Sequence, residues 1–197
     1  MRRSLALLAL AVPLAAHGGA QQYEPLADSV RVRLSSLVSD RAPATMSFRS
    51  AADAQRWLSA MEKRLKRRIP DRRLRLELLR TVHYEALRAR LDPQLVLGII
   101  EVESGFRKYA VSAAGARGFM QVMPFWVKVI GHPRHNLFHL RTNIAYGCAI
   151  LRHYLDTEKG DYFRALGRYN GSLGKAAYPN LVIDAWKKRW RYEGPTG

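Results

Sequence analysis

The stretch Leu95-Val96-Leu97-Gly98-Ile99-Ile100-Glu101-Val102-Glu103 constrains this chain more than any other. It follows Asp92-Pro93, where Asp can cap a helix and Pro suits the first turn. A helix over these residues is apolar nearly all round, as expected of a buried central helix. On it, Val96, Ile99 and Ile100 share a side with Glu103. A carboxyl held against such a face resists ionisation, because burial disfavours the charged form. A general acid can stay protonated near neutral pH in this way.

The surrounding pattern is also helical. Trp57, Met61 and Leu65 recur at helical spacing, and Pro70 ends that segment. Asp71–Leu91 reads as a long helix with Leu79, Val82 and Ala86 on one side. Met120–Val129 reads as helical, interrupted by Pro124, and His132–His139 reads as a loop. Asn143–Leu155 reads as a helix burying Ile144, Cys148, Leu151 and Leu155. Tyr162–Tyr169 is expected to be a helix capped by Asp161, and Pro179–Trp190 a closing helix. Gly105–Gly118 is rich in small residues, which let backbone approach a ligand closely and leave room for a short β-hairpin. No repeat or low-complexity run is present. The expected class is mainly α.

The N-terminus reads as a secretory signal over residues 1–20. Arg2 and Arg3 form a basic start, Leu5–Ala16 a short apolar core, and Gly18-Gly19-Ala20 a small-residue cleavage region. An uncleaved anchor is the alternative, though the core is short for a span. Residues 21–70 read as a leader or linker carrying a basic amphipathic helix, and residues 71–192 as the catalytic domain. Cys148 is the one cysteine, so packing rather than crosslinks must hold the fold. An exported protein without disulfides suits the bacterial periplasm or cell surface.

The chain has 33 Lys+Arg against 16 Asp+Glu, a net charge of +17. Much of the excess lies between Glu62 and Arg90, where Glu62, Asp71, Glu77 and Glu85 are the only acids. A basic protein seeks nucleic acid, anionic membrane or an acidic polymer. Export argues against nucleic acid and leaves wall polymers, whose peptides carry carboxylates. For most of these arginines a solvated helix face is the simpler reading. His132, His135 and His139 match no familiar ligand spacing, so no metal or other cofactor is expected.

Glu103-Ser104-Gly105-Phe106 resembles the catalytic motif of the soluble lytic transglycosylase (SLT) family, which is similar to goose-type lysozyme. Ala110 to Pro124, containing Gly118-Phe119-Met120-Gln121, resembles the family's second motif at its usual spacing. Asn143-Ile144 with Gly147 and Leu151 matches the third. Arg168-Tyr169-Asn170 resembles the Ala-Tyr-Asn motif, and Tyr178 begins a stretch like the closing Tyr-x-x-x-Val segment. These motifs run in one colinear order from about Leu74 to Trp190.

The resemblance implies a lysozyme-like, mostly helical fold with a groove for peptidoglycan glycan strands. It implies cleavage of the β-1,4 bond between N-acetylmuramic acid and N-acetylglucosamine, with a 1,6-anhydro product. Glu103 would be both acid and base. Ser104, Gly118, Met120, Gln121, Tyr169, Asn170 and Tyr178 would line or bind the substrate, with Tyr169 placing its hydroxyl near Glu103. By residue type alone, Ser104, Met120, Tyr169 and Tyr178 also suit plain packing or helix-end roles.

Most glycosidases use two carboxylates, with substrate-assisted exceptions. Glu101 is the only acid near Glu103 in the motif cluster, and two helical residues turn it about 200° away. A hydrolase would need a distant partner such as Asp156, Asp161 or Asp184. Two alternatives therefore remain: a hydrolytic muramidase, and a noncatalytic wall-binding or secretion-assembly component. A monomer is expected. The departures from the family pattern are Phe119 for Leu, Arg168 for Ala, and Gly171-Ser172 for Ala-Gly.

Overall fold

The computed structural model describes residues 21–40, 42 and 44–195, so the signal segment expected at 1–20 lies outside the described residues. Eight α-helices are described: α1 Asp28–Ser39, α2 Ala51–Leu65, α3 Arg72–Arg88, α4 Pro93–Ser104, α5 Phe125–Ile130, α6 Leu140–Thr157, α7 Tyr162–Asn170 and α8 Ala177–Asp184. A π-helical turn, Ala185–Arg189, follows α8. Their starts are written locally. Ser50, Asp71, Asp92 and Asp161 each accept a backbone N–H of the first turn of α2, α3, α4 and α7. Gly105 (φ 56°) and Gly171 (φ 74°) end α4 and α7 in the left-handed region.

Helix α4 is the buried axis. Leu95, Val96, Leu97, Ile99 and Ile100 are all fully buried. Helices α3 and α8 and the π turn pack on it. Gly98 allows the last of these contacts, since a Cβ there would sit 3.1 Å from the Trp186 backbone N. Three indoles satisfy polar groups along the same axis. Trp57 donates to Gln94 Oε1 (2.9 Å), Trp186 to Asp92 Oδ2 (2.7 Å) and Trp190 to Glu101 Oε2 (2.5 Å).

Segment 21–70 carries α1 and the basic amphipathic helix α2. Helix α1 packs on α6 and α2 packs on α3. Leu34, Trp57, Met61 and Leu65 join one continuous hydrophobic core with α4. The apolar stripe of the basic helix is therefore used up in packing. Several arginines of α2, of α3 and of the turn between them are tied down as well: Arg64 donates to Arg191 O, Arg68 to Glu101, and Arg72 and Arg75 to Glu62. A charged cluster bolts α1, α3 and α6 together. Arg88 and Arg141 each pair with both Asp40 and Glu85. Burial raises the Glu85 carboxyl against the pull of the two arginines.

Three local expectations change. The hairpin shrinks to two isolated antiparallel bridges, Val111–Arg117 and Arg117–Val122. No helix runs from Met120, because Gln121 takes a left-handed φ of 49°, and α5 starts only after Pro124. The closing helix begins at Ala177 and loosens into the π turn before Trp190. Among the described residues no helix is long and apolar enough to cross a membrane.

Candidate active site

Glu103 lies in the last turn of α4 and is 1% exposed. Ile99 and Ile100 pack the turn beneath it, as the helical spacing requires. Glu101 faces the other way, where Arg68, Arg189 and Trp190 hold it. The hydroxyl of Tyr178, in the first turn of α8, donates to Glu103 Oε1 over 2.6 Å. Burial first, and then the Glu103 charge, push the Tyr178 phenol well above its ordinary range. Tyr178 is thus a fixed donor to this carboxyl.

The loop 117–121 is held by side chains at each of its carbonyls. Asn143 Nδ2 donates to Arg117 O (2.8 Å) and Gln121 Nε2 to Gly118 O (2.9 Å). The Ser104 hydroxyl lies 2.8 Å from Phe119 O, and the Tyr169 hydroxyl donates to Met120 O over 2.8 Å. Gln21 Nε2 donates to Gln121 O over 3.3 Å. The Met120 N–H in turn donates to Asn143 Oδ1 (2.8 Å). Beyond the bridges at Arg117, the buried residues 118–121 lie outside any helix or strand and need such an arrangement, since an unmet backbone group costs as much as a lost hydrogen bond. Gly118 is required for shape: its φ is 76°, and a Cβ would come within 2.4 Å of Asn143 Nδ2.

This geometry relocates several sequence-derived expectations. Ser104 joins the end of α4 to the loop, its hydroxyl also 3.1 Å from Ile100 O. Met120 is fully buried against Gly147, where a Cβ would approach its Sδ to 2.3 Å. The Gln121 amide is engaged with Ala110 O and Gly118 O. Tyr169 reaches Met120 O rather than Glu103 by hydrogen bond. It stands close enough that, after burial, the Glu103 charge is the next cause raising its phenol. Asn170 ends α7 beside Gly171, half-buried. Arg168 does not recharge the site, because it pairs with Glu158 and with Glu24.

Two residues with no role assigned from sequence are central here. Asn143 touches Met120, Arg117 and Leu137 from α6. Its signal was available: a buried polar residue on an apolar helix face, inside the third motif. Gln21 gave no such signal. Its amide bridges Gln121 O and the Met123 N–H from about a hundred residues away.

The acids left open as a second catalytic group are engaged elsewhere. Asp156 pairs with Arg33 and Arg152, Asp161 caps α7, and Asp184 pairs with Lys188. Among the described residues, no group of three or more His, Cys, Asp or Glu could hold a metal ion. His135 Nδ1 lies 2.8 Å from the Tyr146 hydroxyl. Burial raises the Cys148 thiol well above its ordinary range, as suits a packing residue.

Residues 80–180, which hold Glu103, the 117–121 loop, Asn143, Tyr169 and Tyr178, match the family model described as the transglycosylase SLT domain. The chain belongs to this family. The SLT chain is 36% identical over 115 residues to the "Transglycosylase" of Enterobacteria phage PRD1, covering 55% of this chain and 42% of that one. It is 52% identical over 48 residues to "Membrane-bound lytic murein transglycosylase C" of Actinobacillus pleuropneumoniae serotype 5b (strain L20), covering 24% and 13%. Among solved structures, the lytic transglycosylase Slt of Pseudomonas aeruginosa, an inactive mutant, aligns with a TM-score of 0.46 and 22% identity, over 68% of this chain and 25% of that one. The SLT chain thus spans less than half the length of each of these relatives.

Proposed function

We propose that this SLT protein is a peptidoglycan lytic transglycosylase. It cleaves the β-1,4 bond between N-acetylmuramic acid and N-acetylglucosamine and leaves a 1,6-anhydro end. The observation that carries the reading is the buried Glu103 carboxyl with the Tyr178 hydroxyl on its Oε1 at 2.6 Å. The engagement of Asp156, Asp161 and Asp184 elsewhere supports a one-carboxyl mechanism.

Glu103 gives its proton to the glycosidic oxygen as the C1–O bond breaks. The substrate's own acetamide oxygen stabilises the cation at C1. The Glu103 carboxylate then removes the proton of the C6 hydroxyl, and O6 bonds to C1. The ring closes, no water is consumed, and Glu103 regains its proton. Tyr178 orients the carboxyl through both steps. The 117–121 loop, with Gly118, Met120 and Gln121, forms a rigid wall for the sugar, braced by Ser104 and Tyr169. Asn170 lies at the rim.

In this reading residues 1–20 direct export and the protein works as a monomer in the periplasm. Residues 71–192 are the catalytic unit, and residues 21–70 form its packed outer shell. A role opening the wall for a secretion assembly is compatible with this reading.

The test is digestion of purified sacculi with mass analysis of the products. Wild type is expected to release anhydro ends, and Glu103→Gln is expected to release none. Reducing ends alone would replace this reading with a muramidase. Equal clearance by Glu103→Gln would point to a protein in which Glu103 is not the catalyst.

A further inference from the structure

We propose that residues 21–26 form a strap that sets two walls of the Glu103 site against each other, with Gln21 and Glu24 as its positioning residues. The proposal rests on the transglycosylase reading of that site. One wall is the motif loop. The other is α7, which carries Tyr169 and Asn170. The strap lies well before residue 80, where the SLT domain begins.

The two walls touch directly where the Tyr169 hydroxyl donates to Met120 O over 2.8 Å. The strap brackets that bond from both sides. Beyond Met120, the Gln21 amide donates to Gln121 O (3.3 Å) and accepts the Met123 N–H (3.1 Å). Beside Tyr169, Arg168 Nη1 donates to Glu24 Oε1 over 3.0 Å. Between these anchors the Tyr23 ring meets the Phe125 ring edge-on, with centres 5.8 Å apart. Gln21, Tyr23 and Glu24 thus reach the motif loop, α5 and α7 in turn. The alternation is that of an extended chain, whose successive side chains point to opposite sides. Gln21 and Tyr23 share one side. Gln22 and Glu24 line a cleft of about 230 Å³ with Arg168 and Gly171.

The anchors differ in strength. Gln21 is 3% exposed, so removing its amide leaves two backbone groups unmet in a dry place. Glu24 is half exposed, and an ion pair there is weak by itself. Glu158 offsets part of that weakness, because it already holds Arg168 Nε and fixes the guanidinium before Glu24 binds. Arg168 is also the residue that departs from the family's small Ala. An alanine there could not reach Glu24, so this departure and the strap go together. A sugar between the walls meets a separation that the strap helps to fix, and an error of about 1 Å in such a site can cost about 100-fold in rate.

The test is steady-state cutting of soluble glycan strands by the Gln21→Ala/Glu24→Ala double variant, well below its unfolding temperature. Amide exchange of Glu24→Ala without substrate accompanies it. The double variant should lose about fivefold in kcat and keep KM within about twofold, because its walls still bind sugar but hold it less squarely. Glu24 bonds α7 and not the loop, yet in Glu24→Ala exchange at residues 121–123 should quicken about two- to fivefold, the scale of one partly exposed ion pair. A folded double variant with the wild-type kcat overturns the proposal. So does Glu24→Ala exchange that rises only at α7, evenly across the protein, or nowhere. If the double variant does not fold, the exchange of the single variant decides. A wild type that cuts no glycan strand refutes the transglycosylase reading, while the exchange comparison still decides the strap.

Discussion

Tyr178 and Glu103 meet across 75 residues of chain, the phenol donating to the carboxyl over 2.6 Å inside the core. The bond joins the last turn of α4 to the first turn of α8, so the direction of the carboxyl depends on how two separate helices dock. Tyr178→Phe removes one oxygen and leaves the packing intact. Turnover of glycan strands should fall about 10- to 100-fold, as for a misplaced catalytic group, with KM nearly unchanged. Steady-state rates on soluble strands would show it. An unchanged rate would mean that the carboxyl needs no such anchor.

Asn143→Leu should be among the most damaging single substitutions outside Glu103. It keeps the volume but strands Met120 N–H and Leu137 O, and leaves Arg117 O with only the Val122 N–H as donor. Each unmet buried group costs about 1–3 kcal/mol, so a loss of about 3 kcal/mol or more is expected. Urea unfolding measures this. Asn143→Asp, which keeps the acceptor for Met120 N–H, should lose less if the loop relies chiefly on that bond.

Gly147→Ala tests the fit between α6 and the loop. The added methyl would lie 2.3 Å from Met120 Sδ and 2.8 Å from its Cβ. Overpacking of this kind costs about 1–3 kcal/mol. Adding Met120→Ala should recover part of that loss in a double-mutant cycle, because the clash is with that side chain. Strict additivity of the two substitutions would place the strain elsewhere.

His153 should make the fold sensitive to mild acid. Burial first, and then the Arg33 charge, lower its pKa from the ordinary 6.5. The unfolded chain therefore binds this proton more readily than the folded one. Stability should fall as pH drops through about 6.5 and keep falling until the folded-state value is reached. Chemical denaturation at pH 7.5 and pH 5 would report the slope. His153→Gln should flatten it relative to wild type, and an identical slope would remove His153 from the account.

Gln21→Ala should loosen the loop from its outer side. Both ends of the amide are used, on Gln121 O and Met123 N–H. A loss of about 1–2 kcal/mol in thermal unfolding is expected, with faster amide exchange concentrated at residues 121–123. Exchange that rises uniformly across the protein would show that Gln21 does not act on the loop.

Much of the scaffold is legible along the chain because its causes are local. Asp92 and Pro93 start α4 and Gly105 ends it, all within one turn of the helix they delimit. The 200° rotation between Glu101 and Glu103 is likewise a property of one helix, and the two carboxyls do part company as that rotation requires. The packing of α1 is less legible for the opposite reason. Weak periodicity in residues 21–47 hides the fact that Leu34 and Val38 find a partner in α6, over a hundred residues later.

By itself the sequence determined the buried central helix, the carboxyl at its end and the caps that start and stop its neighbours. These follow from backbone hydrogen bonding and from 3.6-residue periodicity, which act within a turn or two. Only the tertiary structure decided what Glu103 touches and what holds the motif loop. Tyr178, Asn143, Tyr169 and Gln21 come from four distant segments, and a buried polar group takes whichever partner packing brings within about 3 Å.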